Sequence, residues 1–232
     1  LAAPHLAETP DERAFVARGT GPQREFLESL GLWERSILND VGHGKTPVQY
    51  VGSILKRHTF LAAHINDASD DDIEVLAKTG THVAYCPRAS DYFGAHHHFG
   101  PHRYRDMLGG GVNVCLGTDS IINLPADSVH GAEARISVLD EMRFLYQRDR
   151  TDPATLLAMA TVHGAKALSL EPREFSFEQG VDLAGLVAVA GEGSTSLGGR
   201  SPLHHVVSGT GRLEIMVVGK QGERRAPSPA TP

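Results

Sequence analysis

Short apolar runs alternate with amphipathic segments through the first 170 residues of the chain. The apolar runs are four to eight residues long and are bounded by turn or polar residues, which is typical of strands buried in a parallel sheet. They predict a first strand that ends near His5 and three later strands, at 58–65, 81–87 and 112–120.

The segments between these runs have the start and stop signals of helices. Thr9 and Thr46 are candidate N-caps, and each is followed by a proline at the first helical position. Ser69 is followed by three aspartates, and Gly80 ends the same segment. The predicted helices cover 9–19, 46–57, 69–80, 99–111, 131–147 and 152–170.

Regular strand–helix alternation predicts an α/β fold built from parallel βα units, four of them before residue 170. The chain then becomes rich in glycine, with short β-like runs at 185–190, 204–209 and 213–220. The domain boundaries predicted from these changes are 1–170 for the βα units, with a probable insertion at 18–46, then 171–222 for a small β appendage and 223–232 for a disordered tail.

Composition narrows the function classes. The 232 residues carry a formal net charge of −6 without a basic stripe, so nucleic-acid binding is not expected. No apolar run approaches the roughly 20 residues of a membrane span. Two cysteines, Cys86 and Cys115, are too few for a disulfide framework and favour a reducing, cytoplasmic location. Histidine stands out, with 13 copies.

Polar side chains follow the carboxyl ends of three of the four predicted strands. His5 with Glu8 follows the first strand, His64 the second and Asp119 the fourth. Reactive side chains converge at this end of parallel sheets and barrels, and imidazole and carboxylate groups are suitable ligands for a zinc-like ion. Each signal alone is weak, but their occurrence on successive strand ends predicts a metal-dependent hydrolase.

Four motifs occur in order along the chain: "HLAE", "LAAHINDASDDDIEVLAKTGTHVAYCPRAS", "LGGGVNVCLGTDS" and "LLAMATVHGAKALSL". Together they resemble the second half of an amidohydrolase-superfamily enzyme, in the branch of cytosine and guanine deaminases and triazine hydrolases. The resemblance implies a TIM (β/α)8 barrel of which this chain holds the C-terminal half, strands five to eight, within residues 1–170. It further implies a small β-sandwich-like appendage after the barrel.

The same resemblance implies a role for each candidate residue. His5 would be a metal ligand, and Glu8 would carry a proton between the attacking water and the substrate. His64 would hydrogen-bond the substrate or the water, and it is also a candidate metal ligand. Asp119 would bind the metal and act as the base on its water. Cys86–Ser90 would shape the floor of the pocket.

The implied reaction is attack of a metal-bound hydroxide on an sp² carbon of a small nitrogen heterocycle. One zinc ion, or alternatively iron, would be the cofactor, and the enzyme would be a homo-oligomer acting on a small molecule. The leaving group is ammonia in the deaminases, whereas chloride or an alkylamine would leave in a triazine-type hydrolase.

One family feature is missing from the sequence. The family has a metal-binding HxH pair at its first barrel strand, and no such pair precedes His5. His96 and His98 are spaced as HxH, and His102 follows them, but they lie after the third strand in a segment expected to be a solvated or pocket-lining loop. Substrate contacts or an adventitious metal site are the alternatives for these histidines. The chain therefore needs the N-terminal half of the barrel for activity. The alternative is a metal-free barrel homologue or fragment that serves as a non-catalytic binding or scaffold module.

Overall fold

The sheet that carries the candidate residues lies in the first of two compact units, Leu1–Ile136 and Ser137–Pro232. The structure is a computed structural model that describes residues 1–123, 136–189, 201–209 and 213–216. Within that part of the first unit, a sheet of four parallel strands has the order β1-β2-β3-β4. These strands are β1 His5–Leu6, β2 Leu61–His64, β3 His82–Tyr85 and β4 Val114–Leu116.

Helical segments connect the strands, as parallel neighbours require. Three helices lie between β1 and β2, one between β2 and β3, and three between β3 and β4. They are α1 Pro10–Arg18, α2 Pro22–Ser29, α3 Pro47–Leu55, α4 Asp70–Thr79, α5 Pro87–Tyr92, α6 Ala95–Phe99 and α7 Tyr104–Gly109. Arg35–Asn39 and Ile121–Asn123 form 3-10 turns.

The helix starts follow the predicted caps. The Thr9 hydroxyl accepts a hydrogen bond from the Glu12 N–H, and Thr46 forms a capping box with Gln49. Ser69 forms a second capping box, with Asp72. These bonds satisfy N–H groups that have no partner inside the helix, so the sequence signals for these three helix starts are confirmed.

The core of the first unit lies on the sheet. All three residues of β4 are buried, whereas buried and partly exposed positions alternate along β2 and β3. Leu55 and Leu76, from α3 and α4, are almost fully buried. Burial of this kind stabilises a fold by about 1.5–3 kcal/mol for each large apolar side chain.

The second unit contains helices and, in its described part, a two-stranded antiparallel sheet. Leu186 pairs with Met216 and Val189 with Leu213. Its elements are α8 Val138–Asp149, α9 Pro153–Ala160, α10 Val162–Ala167, a 3-10 turn at Pro172–Phe175, β5 Leu186–Val189, α11 Pro202–Ser208 and β6 Leu213–Met216.

The structure corrects three of the predicted elements. The run 204–209 was predicted to be β-like but belongs to α11, because the Ser201 hydroxyl caps a helix that Pro202 opens. The single helix predicted at 152–170 is broken at Thr161, whose φ of −127° and ψ of −89° are not helical. The histidine segment His96–His98, predicted to be a solvated or pocket-lining loop, is exposed but helical, within α6.

Other predictions fall partly or wholly outside the described residues. These are the start of the helix predicted at 131–147, the end of the run at 213–220 and the tail at 223–232. The predicted strands at 58–65, 81–87 and 112–120 are confirmed as β2, β3 and β4. Among the helices described, none has the length and apolar character needed to span a membrane.

Candidate metal centre

The turn after β1 brings His5 and Glu8 to the same side. Ala7 lies between them with a φ of 52°, in the left-handed region that costs an L-residue roughly 1–2 kcal/mol. The Glu12 carboxylate stabilises this turn by accepting two backbone hydrogen bonds, from the N–H of Ala7 at 2.9 Å and from that of Glu8 at 2.8 Å. The first turn of α1 therefore determines where the Glu8 side chain points.

The end of β2 supplies the third member of the site. The His64 side chain is only 2% exposed, while that of His5 is 62% exposed. His64 also has a left-handed backbone, with a φ of 74°. Strained, buried backbone at a strand end persists only where its surroundings hold it, and functional sites are common places for it.

Three side chains converge at these strand ends. The His64 Nε2 and His5 Nδ1 atoms are 3.1 Å apart. The Glu8 carboxylate lies beside both nitrogens, with Oε2 3.3 Å from His5 Nδ1 and Oε1 3.6 Å from His64 Nε2. Parallel pairing of β1 with β2 produces this arrangement, because Leu6 is in register with His64.

Burial lowers the pKa of His64 below its ordinary value of 6.5. The neighbouring His5 lowers it further, whereas the negative charges of Glu8 and Asp119 oppose both effects. His64 is therefore neutral at pH 7, and a neutral imidazole has the lone pair that a metal ligand or hydrogen-bond acceptor needs.

The loop after β2 is tied to the turn after β1. The Asn66 side-chain amide donates to the Glu8 carbonyl at 3.1 Å, and the Asp67 N–H donates to the Ala7 carbonyl at 3.0 Å. Arg13 in α1 forms an ion pair with Asp67 at 2.5 Å. These bonds hold the two loops together and keep Glu8 beside His64.

Asp119 follows β4, two strands away from β2 in the sheet. Its φ of 53° is again left-handed, and its charge acts on His64. Gly117 precedes it beside the Cys86 sulfur, and a Cβ atom at this glycine would lie 2.9 Å from that sulfur. Cys86 and Ser90, predicted to shape the pocket floor, are both buried.

The donor set fits a divalent metal ion. In the described part of the chain, one group of three or more histidine, cysteine, aspartate or glutamate side chains could hold an ion. It consists of His5, Glu8 and His64, and one ligand atom from each lies within 4.8 Å of the other two. Two imidazoles and one carboxylate form a typical zinc-ligand set. Asp119, predicted to be a ligand, lies outside this group of three.

Sequence reasoning did not assign Glu12, Asn66 or Arg13 to the site. The spacing of Thr9 and Glu12 is that of a capping box and was a usable signal for Glu12. Here, however, the Glu12 carboxylate turns back to Ala7 and Glu8. Asn66 and Arg13 act through contacts with distant residues, for which the local sequence carries no signal.

The parallel α/β sheet and the strand-end cluster are the features of a metal-dependent hydrolase fold. The amidohydrolase family profile matches residues 5–222, and the chain belongs to this family.

Comparison with individual relatives agrees with this. The chain is 32% identical over 145 residues to 5-methylthioadenosine/S-adenosylhomocysteine deaminase of Symbiobacterium thermophilum, a match that covers 59% of this chain and 31% of the relative. It is 29% identical over 175 residues to the deaminase of the same name from Pyrococcus abyssi, covering 72% and 33%. The chain thus spans about a third of the length of these relatives.

The chain is also similar in structure to two solved enzymes. A zinc-bound adenosine deaminase of Xanthomonas campestris superimposes with a TM-score of 0.61 at 21% identity, over 96% of this chain and 44% of the other. A mutant atrazine chlorohydrolase of Arthrobacter aurescens, complexed with zinc and atraton, gives a TM-score of 0.58 at 16% identity, over 93% and 48%. At these identities the likeness defines the fold.

Proposed function

We propose that this chain forms part of a metal-dependent aminohydrolase that replaces the amino group on an sp² carbon of a small nitrogen heterocycle with oxygen. The observation that carries the proposal is the convergence of His5, Glu8 and His64, with ligand atoms within 4.8 Å of one another. Family membership supports the reaction class, and the names of the two deaminase relatives favour an adenosine-type ring among the heterocycles.

His5 and His64 would hold the metal ion together with Asp119. When bound, a zinc ion, or alternatively iron, would acidify a water molecule and polarise the carbon under attack. The lowered pKa of His64 suits this role, because a protonated imidazole cannot bind a metal.

The carboxylates would handle the protons. Asp119 would take one proton from the attacking water, and Glu8 would carry a proton between the water and the substrate's ring nitrogen or leaving group. The C–O bond forms first and the C–N bond then breaks. One water proton ends on the ring nitrogen and the other on the departing amino group, so water and substrate give ammonia and a ring carbonyl. Glu8 lies 3.3 Å from His5 and 3.6 Å from His64, so its carboxylate is beside the two proposed metal ligands, as a proton carrier for the attacking water should be.

We further propose that β1 to β4 are strands five to eight of a (β/α)8 barrel, in a barrel segment of residues 1–170 followed by a β-sandwich-like appendage at 171–222. One observation supports the half-barrel. Among the described residues β1 pairs only with β2, so its other edge carries no strand. The N-terminal half would fill this side and supply the remaining ligands.

The remaining features of the proposal are a cytoplasmic, homo-oligomeric enzyme and a small-molecule substrate. In a triazine-type variant of the reaction, chloride or an alkylamine would take the place of ammonia. An amine must take up a proton as it leaves whereas chloride leaves without one, so direct measurement of the released ammonia, alkylamine or chloride separates these leaving groups.

Metal uptake is the first test. The purified chain is dialysed against Zn²⁺, then against buffer, and metal and protein are quantified independently. We expect about one zinc per chain, a loss of zinc in His64→Gln, and no change in the control His98→Gln, which removes an exposed histidine outside the cluster.

Ammonia release from a panel of aminopurines and aminopyrimidines is the second test. It uses the chain together with an amidohydrolase N-terminal half, and Glu8→Gln and Asp119→Asn should abolish it while the chain still folds. Near-normal turnover in either variant would refute the assigned roles. No zinc uptake under any condition would refute the metal site and favour the non-catalytic module.

A further inference from the structure

The turn at the end of β2 contains two consecutive left-handed residues that are not glycine. His64 has a φ of 74° and Ile65 a φ of 52°, and both are almost fully buried. Such backbone is unfavourable for residues that carry a Cβ atom. Neighbouring groups must therefore hold this turn in place, and through it they orient the His64 ring.

Two hydrogen bonds from distant parts of the chain hold the turn. The Ile65 N–H donates to the Leu6 carbonyl in β1 at 3.1 Å. On the other side, the His102 Nε2 atom lies 2.9 Å from the His64 carbonyl oxygen. A carbonyl only accepts hydrogen bonds, so the proton of this imidazole is on Nε2 and His102 is the donor.

His102 is itself held by an aromatic stack. Its ring lies parallel to that of Tyr85, with centroids 3.7 Å apart and an interplanar angle of 15°. Tyr85 in turn stacks with Tyr104 at 5.4 Å, and both tyrosines are buried. The donor nitrogen is therefore preorganised by rings from β3 and α7, which makes it a rigid support for the His64 peptide.

The residue next to His102 binds the same loop further along. Arg103 donates to the Ala68 carbonyl at 3.4 Å and forms an ion pair with Asp70 at 2.6 Å. The pair His102–Arg103 thus contacts the loop after β2 at two separate points, but only the His102 bond involves His64.

We propose that His102 is a positioning residue of the candidate metal centre. By donating to the His64 carbonyl it holds the left-handed turn that directs the buried His64 imidazole toward His5 and Glu8. The inference rests on the proposed metal site and adds to it a residue outside the ligand group. It assigns a function to a histidine that sequence analysis placed with the solvated His96–His98 segment.

The test compares three variants of the whole chain. His102→Phe keeps an aromatic ring on Tyr85 but loses the donor, whereas His102→Gln loses the ring but keeps an amide N–H at the same distance along the side chain. Arg103→Gln is the matched control, because it weakens the same loop without touching the His64 carbonyl.

Two readouts are measured for each variant. The first is the ring ¹H–¹⁵N correlation of His64 in the metal-free chain, assigned with His64→Gln. The second is the affinity for Zn²⁺, by competition with a chromophoric chelator. Loss of the donor should shift the His64 ring signals and weaken zinc binding about 10–100-fold in His102→Phe, as for other groups that orient metal ligands.

His102→Gln should stay within roughly threefold of the wild-type zinc affinity, and so should Arg103→Gln even if its melting temperature falls. The proposal is overturned if the His64 signals in His102→Phe match those of the wild type, or if His102→Gln is impaired as much as His102→Phe. If the wild-type chain binds no zinc, the proposed metal site fails, while the His64 ring signals still decide whether His102 positions that ring.

Discussion

Removal of the Glu12 carboxylate tests whether this side chain holds the turn that places Glu8 beside His64. It accepts hydrogen bonds from the N–H groups of Ala7 and Glu8 at 2.9 and 2.8 Å, at the point where Ala7 is left-handed. Each hydrogen bond to a charged group contributes about 1.5–3 kcal/mol. Two such bonds give an upper range of about 3–6 kcal/mol.

The side chain of Glu12 is only half-buried, and water can replace part of each bond. We therefore expect Glu12→Ala to lower the free energy of unfolding by about 2–3 kcal/mol. Glu12→Gln keeps one acceptor oxygen but places an amide N–H against the other backbone donor. Its free energy of unfolding should therefore fall by about half as much as that of Glu12→Ala. Zinc affinity should fall with both variants, because Glu8 leaves its position beside His64.

The assay is urea denaturation followed by circular dichroism, with zinc affinity measured on the same preparations. Asp11→Asn is the matched control, since Asp11 is exposed in the same first turn of α1 and contributes only the interaction of its charge with the helix, roughly 0.3–1 kcal/mol. The reasoning would be refuted if the free energy of unfolding of Glu12→Ala lay within about 0.5 kcal/mol of the wild-type value. It would also be refuted if Glu12→Ala lowered that free energy no more than Asp11→Asn does.

Three further predictions concern the strand ends. Gly117→Ala should destabilise the chain by about 1–3 kcal/mol in thermal denaturation, because its Cβ meets the Cys86 sulfur, and Cys86→Ala should restore part of the loss. Ala7→Gly should leave the chain as stable or up to about 1 kcal/mol more stable, because the strain at a φ of 52° disappears. Burial raises the pKa of the Cys115 thiol from 9.0 to about 11, so at pH 8 Ellman's reagent should not react with it until urea unfolds the chain.

Each of these has a contrary outcome. Full stability of Gly117→Ala would mean that Cys86 moves aside without cost. A loss of more than about 1 kcal/mol in Ala7→Gly would mean that chain entropy outweighs the strain. Rapid reaction of a thiol in the folded chain would place a cysteine nearer the surface than the structure does.

The sheet, and the convergence of His5, Glu8 and His64 at its edge, could be predicted from the sequence because both follow from local patterns, whereas the roles of these residues stay a prediction. Apolar runs with cap residues between them imply parallel strands, and parallel strands bring His5, Glu8 and His64 to one edge. The error at 204–209 has a local cause as well: a short apolar run does not distinguish helix from strand, and the Ser201–Pro202 helix start was the deciding signal.

The supporting residues could not be predicted in this way. Asn66 contacts Glu8 across 58 positions of the chain, and His102 contacts His64 across 38. Such contacts depend on how loops pack after the sheet has formed, and a single sequence contains no periodic signal for them. Their identification required the three-dimensional arrangement of the β1, β2 and α7 regions.

The order of the strands also has a consequence for the folding pathway. His5 in β1 is 59 positions from His64 in β2. The connection between β2 and β3 is shorter, roughly 20 residues, so pairing β1 with β2 costs about 1 kcal/mol more in chain entropy than pairing β2 with β3. We expect β2 and β3 to pair first and β1 to join late. Pulsed hydrogen exchange would then show early protection of the Ala84 amide and late protection of the Ile65 amide, which bonds to Leu6. His5, Glu8 and His64 would be among the last side chains of the fold to come together, so folding intermediates would lack the candidate metal centre.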